Sequence, residues 1–528
     1  MKKRVAVIAK PGEICYDETT EQAGEMSRTR FALVRLFILV LNLRKGVTAM
    51  IYDVAVIGAG ISGAMIAREL SQLSGRVCVI EAASDAAAGA TRANSGIVHA
   101  GYDALPGSMK ARFNVRGNAL MAAAVKELGV PYENCGTLVV AFDDEEEKSV
   151  DGLLKRGAEN GVPAEKISGA EVRRREPFLS KEIRCALWAP TGGIVSPFEL
   201  ALAALENAAA NGADVFFDSR VTEIKKNGGV FTIEAGGRKV LARFVVNAAG
   251  VYADEVSRMA GGEAFSISAR RGEYVLFDKS FSVRTRSVVF GAPSDKGKGV
   301  LFSPTAHGNM IAGPTAEFTD KENTATTRDG LEAVLSGVRR YAPDIDRRSA
   351  ITVFAGLRAA SDRHDFIIGE SQTMPGLINV AGIESPGLTA SPAIAEYVTQ
   401  LLVDLGLDST KNKDATRMRK PIEVFAHATP ERQRELIAQD ERYANVVCRC
   451  EQVTEAEIVQ SIHRPCGART VDGVKLRTAA GFGRCHGGFC MPRVMDILAR
   501  ELGQDVKDIT KSGEGSWILA GRTKEAVQ

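Results

Sequence analysis

Residues 51–63 read IYDVAVIGAGISG. The run from Tyr52 to Ile57 is apolar but for Asp53, as suits a parallel strand buried on both faces. Gly58, Gly60 and Gly63 follow in the spacing G-x-G-x-x-G. Ala64, Ile66, Ala67 and Leu70 then recur at helical intervals, and RVCVIEAA (76–83) supplies a second strand that closes on Glu81, 18 residues after Gly63. Strand, glycine turn, helix, strand and acidic residue form the context that turns a weak glycine pattern into a dinucleotide-binding βαβ unit. Gly58 makes the tight turn, Gly60 lets the backbone approach a pyrophosphate, and Gly63 lets helix and strand pack closely. The helix N-terminus faces the phosphates, and Glu81 is placed to accept from ribose hydroxyls. No second fingerprint occurs, so the chain is expected to bind one dinucleotide and to take electrons from a small substrate.

The chain has 528 residues, 45% hydrophobic and 25% charged, with a net charge of +2. That length predicts two or three domains, and the charge balance gives no reason to expect nucleic acid or an anionic membrane as partner. FALVRLFILVLNLR (31–44) is apolar but interrupted by Arg35 and shorter than the roughly 20 residues a membrane span needs. Residues 1–49 read as an extension without a clear fold, with Met50 as a possible functional start.

SRVTEIKKNGGVFTIEAGGRKVLARFVVNAA (219–249) alternates with hairpin turns at NGG and GG and ends in an apolar strand suited to rejoin the parallel sheet. Residues 266–318 are strand-rich, with turns expected at RRGEY, SDKGKG and AHGN. A helix is expected from near Ser391. Residues 411–442 are polar and read as a linker.

Five further stretches occur in order: GATRANSGIVHAGYD (89–103), VVNAAGVYADEV (245–256), RRGEYVLF (270–277), AGLRAASD (355–362) and NVAGIESPGLTASPAIAE (379–396). Together they resemble the D-amino-acid-oxidase-like FAD superfamily, and within it the glycerol-3-phosphate dehydrogenases and oxidases, above all the large subunit of the anaerobic dehydrogenase. The resemblance spans residues 50–500. It implies an α/β fold: a discontinuous Rossmann-like FAD domain (50–125, 195–265 and 350–410) with an inserted antiparallel-sheet substrate domain (126–194 and 266–349). It implies FAD held by Gly58, Gly60, Gly63 and Glu81 on the ADP half, by Thr91, Ser95 and Gly96 near pyrophosphate and flavin, by Val221 and Gly250, and by Gly382, Gly387, Leu388 and Thr389 beside the isoalloxazine.

Flavin oxidation of an alcohol needs a base for the hydroxyl proton. The resemblance gives that role to His99, one of six histidines; the plainer alternative is a loop histidine held by backbone hydrogen bonds. It gives the substrate anion to Arg358, where a phosphate or a carboxylate would bind equally well. Arg271 and His307 are weaker substrate-binding candidates.

CRC (448–450) and CHGGFC (485–490) make C-x-C-x34-C-x4-C with Cys448, Cys450, Cys485 and Cys490, four of the nine cysteines. Two close pairs separated by a long loop suit one metal centre, and the spacing departs from the usual zinc ribbon. The intervening residues resemble a bacterioferritin-associated-ferredoxin-like domain, which implies a [2Fe–2S] cluster on those thiols in a small C-terminal cysteine-rich α domain (443–500) followed by a tail (501–528). Cys466 and His486 are not expected to be ligands. The function implied is FAD-dependent oxidation of sn-glycerol 3-phosphate to glycerone phosphate, with electrons leaving through the cluster to a partner flavoprotein or quinone. The alternatives are a 2-hydroxy-acid, amino-acid or opine dehydrogenase, and a redox-sensing or iron–sulfur-handling flavoprotein. The expected location is cytoplasmic or peripheral at the inner face of the membrane.

Overall fold

The computed structural model describes residues 50–293 and 299–521. The expected 1–49 extension, most of the SDKGKG turn and the end of the tail lie outside the described residues. The strand Ile51–Ile57 runs through an eight-stranded sheet between two parallel neighbours, Val77–Ile80 and Arg238–Asn247. Asp214–Phe216 extends the sheet beyond Val77–Ile80, and Leu377–Ala381 pairs parallel with residues 245–247. Three distant stretches of chain thus build one sheet. Val54, Ala55 and Val56 are wholly buried, as expected of a strand covered on both faces. Helices Ile61–Leu70, Pro197–Ala210 and Gly387–Asp404 share one core against it. The hairpin Val221–Asn227/Val230–Ala235 contributes Ile224, Phe231 and Ile233 to a second core.

The last of those helices begins at Gly387, four residues before the expected start. Ser391-Pro392 has the form of an N-cap and first helical residue, but Pro392 is accommodated inside the helix. RRGEY is not a turn either. It lies within the strand Ile267–Phe277, which pairs antiparallel with Ala350–Ser361 along nearly its whole length in a nine-stranded sheet. Gly272 faces Gly356 across this pair. A Cβ at Gly356 would lie 1.9 Å from the Ala93 carbonyl oxygen, and one at Gly272 would lie 2.3 Å from Arg358 Nη2. Close approach, rather than chain reversal, requires these glycines.

The C-terminal module has its own core, with Val447, Ile458, Ile462, Val474 and Leu498. It joins the hairpin Val446–Cys448/Val453–Thr454 to helices Glu455–His463, Val471–Thr478 and Met491–Leu502. The expected linker contains the helix Pro430–Gln439. Tail residues fold back on the module: Ile509 is buried and Thr510 bridges to Trp517. Among the described residues, no helix is long and apolar enough to cross a membrane.

Module and FAD-type sheet meet at Glu206, which is 2% exposed on the helix Pro197–Ala210. It accepts from Arg419 of the connecting segment at 2.6 Å and from Arg464 of the module at 2.9 Å. The guanidinium of Arg477 stands 3.9 Å away. Glu206→Gln would leave buried guanidinium groups without their carboxylate, at a cost of about 3 kcal/mol. The expected result is a lower denaturation midpoint together with faster proteolysis between residues 411 and 445; an unchanged midpoint would contradict this account of the interface.

Candidate functional site

A cavity of about 1910 Å³ opens at the C-terminal ends of the parallel strands and runs between both sheets and the cysteine-rich module. Its floor is the glycine turn. Gly58 has φ +101°, and a Cβ there would sit 2.5 Å from the Ala248 carbonyl oxygen. A Cβ at Gly63 would sit 2.0 Å from the Gly58 carbonyl oxygen, so Gly63 packs beneath the wall rather than forming it. Gly60 precedes the helix Ile61–Leu70, whose first amide, Ile61 N, donates to Thr91 Oγ1 at 3.0 Å. The first-turn amides of a helix have no intrahelical acceptor, and with Gly60, Ile61 and Ser62 on the cavity wall this terminus suits an anion. Glu81 accepts from Ala59 N at 2.7 Å and from Ala83 N at 2.8 Å. Burial pushes its carboxyl up, against the pull of those amides. Its oxygens therefore shape the turn, and a ribose would share them.

Ser95, Gly96, Val221, Gly250, Gly387 and Leu388 lie on the wall. Gly96 has φ +68°, and a Cβ there would meet the Val195 carbonyl oxygen at 2.6 Å. Gly382 and Thr389 do not reach the wall. Gly382 turns the chain at φ +67° against Ser361. Thr389 is fully buried and accepts from His99 N at 2.9 Å. Thr389 thus fixes the backbone beneath His99, whose Nε2 lies 3.2 Å from Ser385 Oγ and whose ring stacks on Phe290 at 6.2 Å. This glycine-lined, elongated cavity with amides at one end fits a dinucleotide.

Strand alternation decides the arginines. On Ile267–Phe277 the even-numbered Arg270, Tyr274 and Leu276 line the cavity. The odd-numbered Val275 and Phe277 enter the opposite core. Arg271 goes with the odd set. It is 7% exposed, donates to the Ala325 carbonyl at 3.0 Å, and pairs with Glu273 at 3.3 Å and Glu317 at 3.0 Å. Its expected substrate contact is therefore corrected: the cavity-facing residue is Arg270. Arg270 stands directly across the ladder from Arg358. Glu384 accepts from Arg270 at 2.7 Å and from Lys110 at 2.8 Å. Arg358 donates to the Thr315 carbonyl. Burial lowers its pKa, Arg270 adds to that, and Tyr274 and Glu384 oppose it. Sequence reading missed Arg270, Glu384 and Lys110. The signal was present in R-x-E at 271–273, opposite charges on one strand face, which leaves Arg270 on the other.

The thiols form two pairs. Cys450 Sγ and Cys485 Sγ are 3.6 Å apart, and the Cys490 thiol donates a hydrogen bond to Cys448. The Cys490 bond pulls the Cys448 thiol down to about 6, with amides of Gly481, Glu451 and Cys450 also directed at it. Amides of Gly487 and Phe489 point at Cys485. Among the described residues no three His, Cys, Asp or Glu side chains meet as a single ion would require. Four free thiols in two pairs with amide donors suit a small cluster. Cys466 stands apart, its thiol pushed up to about 12 by burial.

Phe482, three residues before Cys485, stacks on Phe198 at 5.8 Å, and Phe198 stacks on His307 at 6.2 Å. His307 lines the cavity but is paired with Glu199 at 2.8 Å. Burial lowers its pKa, but the bond and charge of Glu199 outweigh that and hold it above the ordinary 6.5. A raised histidine stabilises the fold fully below its unfolded pKa and loses that contribution as pH rises through the folded value. Glu199→Gln is therefore expected to lower the denaturation midpoint more at about pH 6 than at about pH 9; equal losses at both would exclude the ion pair.

A profile of the family "FAD dependent oxidoreductase" matches residues 53–401, and a profile of the "BFD-like [2Fe-2S] binding domain" matches residues 446–500. A glycerol 3-phosphate dehydrogenase of Caloramator mitchellensis is 45% identical over 479 residues, 90% of this chain and 100% of the relative. A glycerol 3-phosphate oxidase of Mycoplasma pneumoniae is 32% identical over 366 residues, 66% of this chain and 94% of the relative. The solved structure of dithionite-reduced L-alpha-glycerophosphate oxidase from Mycoplasma pneumoniae with FAD bound matches with a TM-score of 0.67 at 30% identity, covering 70% of this chain and 98% of that one.

Proposed function

The chain belongs to the FAD dependent oxidoreductase family and carries a BFD-like [2Fe–2S] binding domain, and from that premise we propose that it oxidises sn-glycerol 3-phosphate to glycerone phosphate. The observation that carries the substrate is the Arg270–Arg358 pair. Like charges directly opposite on a ladder repel. Lys110 stands beside them, and Glu384 accepts from both Lys110 and Arg270; Asp365, which accepts from the Lys110 amide, and Arg363 also line the cavity. Two guanidinium groups side by side match a phosphate monoester dianion better than a carboxylate. Guanidinium forks suit phosphate oxygens.

In this reading Arg270 and Arg358 hold the phosphate and set the carbinol carbon toward the ring-binding segment at Gly387 and Leu388. His99 removes the hydroxyl proton, its ring oriented by Ser385 and Phe290 and its backbone by Thr389. When bound, FAD supplies the two-electron acceptor, and the cluster on Cys448, Cys450, Cys485 and Cys490 carries electrons one at a time. Phe482 and Phe198 lie between the thiol loop and the cavity. Single-electron export suits a partner flavoprotein or a quinone-linked subunit, in the cytoplasm or at the inner face of the membrane.

The test is anaerobic titration with sn-glycerol 3-phosphate, following the flavin band. Stoichiometric bleaching is expected for the wild type. His99→Asn should retain FAD and bleach more slowly by about 10²–10⁴-fold. Arg270→Ala should need about 100-fold more substrate, the worth of a charge-assisted contact, whereas Arg271→Ala should be less stable with its substrate requirement unchanged. Bleaching by a 2-hydroxy acid or an amino acid instead would sink the phosphate assignment.

A further inference from the structure

The helix Val471–Thr478 belongs to the cysteine-rich module, yet it lies on the loop that follows Glu81. Arg477 donates to both oxygens of Asp85, at 2.6 and 2.8 Å. A Cβ on Gly473 would fall 3.0 Å from the same carboxylate, and Asp472 faces Arg92 at 3.9 Å. From this docked helix Lys475 projects into the dinucleotide cavity. Its ammonium lies 4.6 Å from the centroid of the Phe482 ring.

The neighbouring cations all have partners. Arg477 has Asp85, and Lys511 holds Asp472 at 2.9 Å. Among the described residues, Lys475 has neither a carboxylate at ion-pair distance nor a hydrogen-bond acceptor. Burial lowers its pKa, Asp472 opposes this at longer range, and Lys511 and Arg92 add to the lowering. A half-buried cation in this state lacks the counter-charge that normally offsets its lost hydration. The cavity it enters is the one whose floor carries the glycine turn and the amides of the helix Ile61–Leu70, beside Thr91 and Arg92.

We propose that Lys475 is a cofactor-binding residue lent by the [2Fe–2S] module, its ammonium set against the pyrophosphate of FAD. This rests on the family's use of FAD. It makes the module a wall of the flavin site as well as an electron carrier, so that retention of one cofactor depends on the correct seating of the domain that holds the other.

The test uses the full chain with its cluster in place, stripped of FAD and titrated with FAD, ADP and adenosine. Flavin fluorescence reads FAD binding, and competition reads the other two. Lys475→Met keeps the stem against Phe482 and removes the charge. Its Kd for FAD and for ADP should rise about 10- to 100-fold, the range for a hydrogen bond to a charged group, while adenosine binds as in the wild type. Lys475→Arg should restore both. If Lys475→Met loses the cluster absorption, Lys475→Gln takes its place in the same titration. A charge-free variant with intact cluster that binds FAD and ADP like the wild type would reduce Lys475 to packing and overturn the proposal. Weaker FAD with unchanged ADP would overturn it as well, since the contact would then be to the flavin end. A wild type that takes up no FAD would overturn the family reading and this proposal together.

Discussion

Burying the Glu206 carboxylate costs several kcal/mol of lost hydration, and the protein offsets this only by bringing Arg419 and Arg464 into contact with it. Those arginines come from the connecting segment and from the cysteine-rich module. The charge on one helix of the dinucleotide-binding core is therefore tied to the seating of a separate small domain. With that position go the docking of Arg477 on Asp85, the stacking of Phe482 on Phe198, and the closing of the cavity by Lys475 and Phe482, more than 400 positions downstream of the glycine turn. Arg484 on Asp278 and Lys279 on Glu451 join the module to the substrate-side sheet as well.

The substrate end of the cavity depends on a different constraint, the register of Ile267–Phe277 against Ala350–Ser361. Because side chains alternate along a strand, a slip of one residue would exchange Arg270 for Arg271 and bury the wrong guanidinium. Gly272 opposite Gly356 holds this register at its tightest point, where the Ala93 carbonyl and the Arg358 side chain occupy the space of the missing methyl groups. Tyr274 stacked on Phe354 at 5.0 Å continues the same face. The like-charged pair at the top of the ladder is tolerated because Glu384 lies against it.

Local chemistry made much of this legible. The apolar run, the glycine spacing and Glu81 specify the βαβ unit without reference to the rest of the chain, and the NGG and GG turns specify the hairpin that follows. The four thiols are equally visible as two short spacings, but the contacts run between the two loops, Cys450 to Cys485 and Cys448 to Cys490. What was not legible depends on long-range packing. RRGEY looks like a turn because glycine and charges favour one, and only the partner strand reveals that the glycine is needed for close approach. Ser391-Pro392 looks like a helix start, but burial against Ile61–Leu70 extends the helix back to Gly387. Gly382 and Thr389 sit in the motif that resembles a flavin loop, yet one turns the chain and the other supports it from below. Arg270 and Lys475 acquire meaning only from the faces on which the fold places them.

The central sheet takes its parallel strands from residues 51–57, 77–80, 214–216, 238–247 and 377–381. A chain emerging from the ribosome at about 5–20 residues per second presents the Ile51–Ile57 strand about 10 to 40 seconds before its neighbour Arg238–Asn247 exists. Through that interval one hydrogen-bonding edge of the strand is unpaired, an arrangement that invites chaperone capture and slows folding. The glycine turn is made early but has no finished pocket around it until Phe482 has been synthesised and docked. Biogenesis of such a protein is ordered by topology: the wall of the dinucleotide cavity is complete only once the sulfur-ligated domain has been synthesised.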